Sequence, residues 1–168
     1  MHVCKLIHAT AAVSLLVAPF ALSPLPATPG QGFQPNPIGA GNVGELNINT
    51  AGEKYGKWGL HLKTLADTDI SADRLVIQPM GFSGWHAHPG PVLVVVTQGS
   101  IVWTNGSDPL CTPHNYTVGQ AFIEEPFVVH NVQHTSGTTA EFLAFTIKPE
   151  GVVGPAFRLD RDKPTNCP

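Results

Sequence analysis

Proline and glycine do most to restrict what this chain can fold into. The 168 residues include 17 Gly and 16 Pro, spread from Pro19 to Pro168. Inside a helix these cost about 1 kcal/mol and about 3 kcal/mol relative to alanine. Helical bundles are thereby disfavoured and a turn-rich β architecture is expected. The length suits one domain, and a 42% hydrophobic content is enough for a core.

From Trp58 onward, short apolar runs alternate with turn signals. Leu60, His61, Leu62 and Lys63 alternate in polarity, and Asp73 to Gln78 is a β-rich run closed by Pro79. Pro91 to Thr97 is valine-rich and ends at Gln98-Gly99, after which Ser100 to Thr104 returns to Asn105-Gly106. This spacing predicts a hairpin followed by a second tight turn. Gln120–Glu124, Val128–Val132 and Glu141–Ile147 bring the count to seven or more short strands. Such a pattern predicts an all-β, double-sheet jelly-roll barrel. No capping box precedes an apolar run of period 3.6, so helix signals are nearly missing.

The first 27 residues read as a secretory signal peptide. A short, weakly basic start at Met1–Lys5 leads into the uncharged apolar stretch Ala11–Leu22, and Ser23-Pro24-Leu25-Pro26-Ala27 follows. A membrane span would need about 20 apolar residues. An exported protein is therefore expected, extracellular, periplasmic or in the cell envelope. Residues 28–56 are rich in Gly, Pro and Asn and read as an extended N-terminal arm or linker, with a short edge strand at Glu45–Asn49. The barrel is then 57–150 and residues 151–168 form a C-terminal tail.

Charge and cysteine content narrow the partners. The formal charge is −3; loss of residues 1–27 removes Lys5 and no acid, giving −4. The remaining Lys and Arg are scattered, which argues against nucleic acid and, once the signal is removed, against a membrane surface. Cys4 leaves with the leader, so Cys111 and Cys167 are an even pair with one available connectivity. A disulfide between them would pin the tail to the body, worth about 4 kcal/mol in the chain-entropy account. The arm offers a sheet edge on which a second copy could pair as a homodimer.

The chemistry sits in the histidines. His86 and His88 are separated by one residue, so on an extended segment they face the same side. His130 lies about one strand pair later. If its strand lies beside theirs, three neutral imidazoles converge, and these are costly as buried charges but useful as metal ligands.

At this point the chain resembles the cupin family. Gly81, His86, His88 and Gly99 fall at or within one residue of the places in the first cupin motif, and Gly119, Pro126, His130 and His134 resemble the second. The resemblance covers about residues 58 to 150. It implies a double-stranded β-helix fold and makes His86, His88 and His130 the ligands of a divalent transition metal. Two departures stand out. The motif glutamate falls on Val92, or Leu93 with the longer spacer, and the motif asparagine is His134. The glycine after Pro126 is also replaced.

A centre of three neutral imidazoles leaves a divalent ion its full +2 charge. That favours a small anionic or enolisable ligand, and imidazole admits Fe, Ni, Cu, Zn or Mn. Counting in steps of two from His130 places Glu124 on the same side, either as a ligand, as a partner of a histidine, or as a solvent-exposed acid. His134 is open between a fourth ligand, a general base beside the metal and a loop histidine. Trp85, Trp103, Phe122 and Phe127 read as core or pocket wall, and His61 and His114 as surface residues. Two functions remain: metal-dependent, dioxygenase-like chemistry in which His134 or Glu124 moves a proton, and a non-catalytic module binding a small molecule or metal.

Overall fold

The computed structural model describes residues 29–50 and 58–168. The expected signal peptide and Cys4 lie outside the described residues. Twelve strands follow in chain order: β1 (Gln31–Gly44), β2 (Asn47–Thr50), β3 (Leu60–Lys63), β4 (Thr68–Phe82), β5 (His86–Ala87) and β6 (Val92–Gln98). Then come β7 (Ser100–Asn105), β8 (Pro113–Thr117), β9 (Ala121–Glu124), β10 (His130–Gln133), β11 (Ala140–Pro149) and β12 (Leu159–Asp160). A 3-10 turn, Gly154–Ala156, precedes β12. Among the described residues no helix is long and apolar enough to cross a membrane.

Ten of the strands form two curved faces of one jelly-roll barrel, and β2 and β3 pair with each other in a separate small sheet. One face runs β1-β4-β11-β6-β9, the other β8-β7-β10-β5-β12, and they join where Gln133 of β10 pairs with Phe82 of β4. Alternation sets the inside: Val92, Val94 and Val96 are buried while Leu93 is 39% exposed, and Ala140, Phe142, Ala144 and Thr146 point inward from β11. These side chains meet Ile77, Ile101, Phe122 and Val132 in one core. At about 25 cal/mol per Å2 of buried apolar area, this core is the main source of stability.

Two local readings change in three dimensions. Residues 91–104 are not a hairpin: β6 pairs with β11 and β9, while β7 pairs with β10 and β8. Gly99, at φ 69°, makes the corner where the chain crosses between faces. Local turn signals are the same for a corner and a hairpin, and only partner choice separates them. The hairpin lies one strand later, where β7 and β8 pair from Ser100↔Thr117 to Thr104↔Pro113. In the arm, Gln31–Gly44 is a strand laid along β4, from Gln31↔Phe82 to Gly44↔Thr68. Its Gly and Pro residues suppress the alternation by which strands are recognised, and Pro35 and Pro37 are tolerated because β1 is an edge.

A second, smaller cluster of Trp85, Cys111 and Cys167 lies outside the main core. Cys111 and Cys167 are disulfide-bonded across 56 residues, as the even cysteine count suggested. The bond fastens the segment after β11 to the β7–β8 loop.

Candidate metal centre

Two strand segments, β5 and β10, bring the histidines together. His130 opens β10 and pairs directly with His86 of β5, while His88 lies two residues beyond His86 on the same side. Their ring centroids are 4.4 to 5.2 Å apart. Ligand nitrogens of all three lie within 4.8 Å of one another, and all three residues are buried. The turn between β9 and β10 is held to this site, since the Phe127 amide donates to the His88 carbonyl at 2.7 Å.

Each imidazole is oriented by a backbone carbonyl. His86 Nδ1 donates to Gly84 O at 2.8 Å, His130 Nδ1 to Val128 O at 2.9 Å and His88 Nδ1 to Phe157 O at 3.2 Å. A carbonyl oxygen only accepts, so each Nδ1 carries the hydrogen and each Nε2 is left with a free lone pair. The His130 Nε2 is fully buried and has no hydrogen-bond partner. Burying such a group unsatisfied costs about 1–3 kcal/mol. Outward Nδ1–H bonds with bare inward Nε2 atoms are the usual second layer of a histidine metal site. The residues present therefore fit a divalent transition metal.

Glu124 belongs to the same cluster. Its Oε1 lies 3.3 Å from His130 Nε2 and its Oε2 3.5 Å from His88 Nε2, at ion-pair distance but without hydrogen-bond alignment to His130. Glu124 is 4% exposed. The register explains its presence: Glu124 of β9 pairs with Val92 of β6, the place where the motif glutamate would fall. A carboxylate missing from one strand stands directly opposite on the next.

Burial and charge divide the four groups. Burial, then the neighbouring His130, Arg158 and His88, pulls the His86 imidazole down to about 2. For His130 burial also opposes protonation, but the Glu124 carboxylate outweighs it and the net shift is upward. Burial pushes Glu124 up, yet His130 and His88 outweigh it and hold the carboxyl well below its usual range. The pocket thus favours one negative charge facing a positive one, which a metal ion supplies as well as a proton does.

The cluster opens into a cavity of about 550 Å3. Phe33, Leu75, Val92, Phe142 and Phe157 supply apolar wall, and Arg158 and Asp160 stand at its edge. Arg158 Nε is 2.8 Å from Asp160 Oδ1, so that pair is locally neutral.

His134, read as a fourth ligand, general base or loop histidine, is the last of these. It is 1% exposed, and its Nδ1 lies 2.6 Å from Ser100 O while its Nε2 lies 2.7 Å from Thr138 O and 2.9 Å from Ser136 Oγ. Both ring nitrogens are occupied, Nδ1 by the start of β7 and Nε2 by the loop after β10, and His134 is absent from the cavity wall. Phe127 is likewise not wall: it is 64% exposed and takes φ 60°, in the turn from which the motif glycine is missing. Trp85 and Phe122 are buried as expected, and Trp103 lies with its ring centroid 6.5 Å from His130. Sequence reasoning missed Phe157, Arg158 and Asp160, which carry no motif and reach the site only through β12.

Residues 74–146 match the family model described as a cupin domain. That stretch, which forms most of the barrel, is a cupin domain. Similar solved structures include the polyketide cyclase RemF from Streptomyces resistomycificus, 16% identical over 50% of this chain and 62% of that chain, with a TM-score of 0.42. A cupin domain from Bordetella pertussis is 26% identical over 47% of this chain and 81% of its own, with a TM-score of 0.41. Peruvianin-I, described as a cysteine peptidase from Thevetia peruviana latex, is 20% identical over 79% and 71%, with a TM-score of 0.47. Comparison with curated proteins found no match.

Proposed function

We propose that this is an exported metal-binding cupin in which His86, His88, His130 and Glu124 hold one divalent transition metal, Fe, Ni, Cu, Zn or Mn. The adjoining cavity takes a small anionic or enolisable molecule. The observation that carries the reading is the set of three buried imidazoles, each donating Nδ1–H to a carbonyl and each leaving Nε2 free. Export is supported by the disulfide, which persists in oxidising compartments.

Charge supports the ligand class. Neutral imidazoles add nothing and Glu124 adds −1, so a divalent ion keeps +1. Arg158 and Asp160 cancel. A monoanion then neutralises the metal centre itself, with Asp73 a further carboxylate on the cavity wall, while Phe33, Leu75, Val92 and Phe142 shed water and house an apolar body. A bound metal would polarise a ligand oxygen and favour its ionised form, the common basis of oxygenase-type and related chemistry.

Metal analysis of the purified protein beside His86→Ala and His130→Ala tests this. Stoichiometric metal in the parent and its loss from both variants is the expected result. Metal retained by both would end the proposal. A second reading, binding without turnover, is favoured by His134, whose engagement by Ser100 and Thr138 leaves Glu124 as the acid–base group in contact with the histidines. Oxygen uptake or product formation with a panel of diketones, flavonoids and thiols separates the two.

A further inference from the structure

We propose that Phe157, in the segment following the barrel, is a positioning residue for His88, and that the strand β12 it leads into is coupled to metal occupancy. This rests on the metal-binding reading above. The three imidazoles are not held alike. His86 and His130 find their carbonyl partners two residues back on their own chain, at Gly84 and Val128. His88 finds its partner 69 residues away, at Phe157. Orientation of two ligands is therefore local, and orientation of the third depends on a tertiary contact.

Phe157 holds His88 twice. Its carbonyl accepts the Nδ1–H at 3.2 Å, and its ring stacks on the imidazole with centroids 4.6 Å apart and planes at 24°. Lys148 Nζ lies 5.3 Å from the same phenyl centroid and is itself anchored to Val152 O at 2.7 Å. The phenyl ring is thus fixed by two neighbours and is not free to swing from the imidazole.

The backbone around Phe157 is tied to the ligand segment. β12 pairs with β5 as Leu159↔Ala87 and Asp160↔His86. The Arg161 amide donates to Trp85 O at 3.0 Å, and Arg158 Nη2 donates to Ser83 O at 2.6 Å. All these attachments fall on residues 83–88, which carry two of the three histidines. The attaching residues lie outside the stretch 74–146 that matches the cupin family. Linkage then requires reciprocity: if the segment strengthens metal binding, bound metal must steady the segment by the same factor.

Cobalt(II) is a suitable probe, because its visible spectrum reports coordination geometry. Phe157→Ala removes the stacked ring and keeps the carbonyl, so it should lower Co2+ affinity about 2- to 10-fold, the worth of one aromatic stack, and should alter the visible bands. Phe157→Tyr should restore both. In the unmutated protein, Co2+ should slow trypsin cleavage after Arg158 and Arg161, a measurement that needs no variant to fold. Cobalt uptake by the parent, with affinity and spectrum unchanged in Phe157→Ala, overturns the positioning role alone; uptake without protection at Arg158 and Arg161 overturns the coupling of β12 to metal occupancy. Failure of the parent to take up cobalt overturns the metal reading and this one together.

Discussion

Moving the carboxylate back across one strand pair tests the centre most directly. Glu124 and Val92 are partners in the β6–β9 ladder, both buried and both facing inward. Directly opposed residues have Cβ atoms about 4.5–5.5 Å apart, within reach of a glutamate side chain from either strand. Glu124→Val should abolish tight metal binding, and the double variant Val92→Glu with Glu124→Val should recover much of it. The magnitude follows from charge. The carboxylate lies 3.3 and 3.5 Å from two imidazole Nε2 atoms, so about 4 Å is a fair distance to an ion among them. Two unit charges there interact by about 4 kcal/mol at an effective dielectric constant of about 20, hence about 8 kcal/mol for a divalent ion. Removing the glutamate also recovers its desolvation cost of several kcal/mol. A net loss of about 3–4 kcal/mol remains, or roughly 100- to 1,000-fold in affinity. Chelator-competition titrations with Zn2+ or Co2+ at pH 7 would measure it. Unchanged affinity in Glu124→Val would refute the carboxylate's role, and a folded double variant that recovers nothing would refute the equivalence of the two positions.

Two further outcomes follow from particular contacts. The folded His86 imidazole, pulled down to about 2 chiefly by burial, titrates below its unfolded value of about 6.5. The unfolded chain therefore binds the proton first, and His86 costs apo-protein stability as pH falls below about 6.5, by up to about 1.4 kcal/mol per pH unit. Glu124, held low, acts in the same direction, whereas the raised His130 contributes at low pH and loses its contribution as pH rises through its folded value. Chelator-treated protein should melt at progressively lower temperature from pH 6.5 to 4, and His86→Leu should flatten that slope; an unaltered slope would count against the burial argument. At Gly90, an added Cβ would sit 1.9 Å from Ile147 O, a backbone atom. Gly90→Ala should cost about 3 kcal/mol in urea unfolding, and a loss below about 0.5 kcal/mol would show that the two backbones can separate.

Much of the fold was legible because it is periodic. Val92, Val94 and Val96 alternate with exposed neighbours, and the turn residues between such runs leave few architectures open besides a barrel. The His86–His88 pair was legible for the same reason: period two places both on one side whatever the partner strand. Harder features all concern partners. That β6 and β7 lie in different faces, that Gly99 is a corner, and that β1 is a strand depend on which segment pairs with which. Glutamine, glycine and proline in those places carry no such information.

At the candidate site the same division holds. Composition, strand period and the two motifs determined by themselves an all-β barrel and three histidines able to face one interior. Tertiary structure decided which other residues join them. Cross-strand register brought Glu124 opposite Val92, the carbonyls of Ser100 and Thr138 engaged the two nitrogens of His134, and the segment leading into β12 carried Phe157 back to His88 from 69 residues away. The physical reason is range. Side-chain direction along a strand repeats over two residues and can be read locally, whereas register and long-range docking are settled only when the whole core packs.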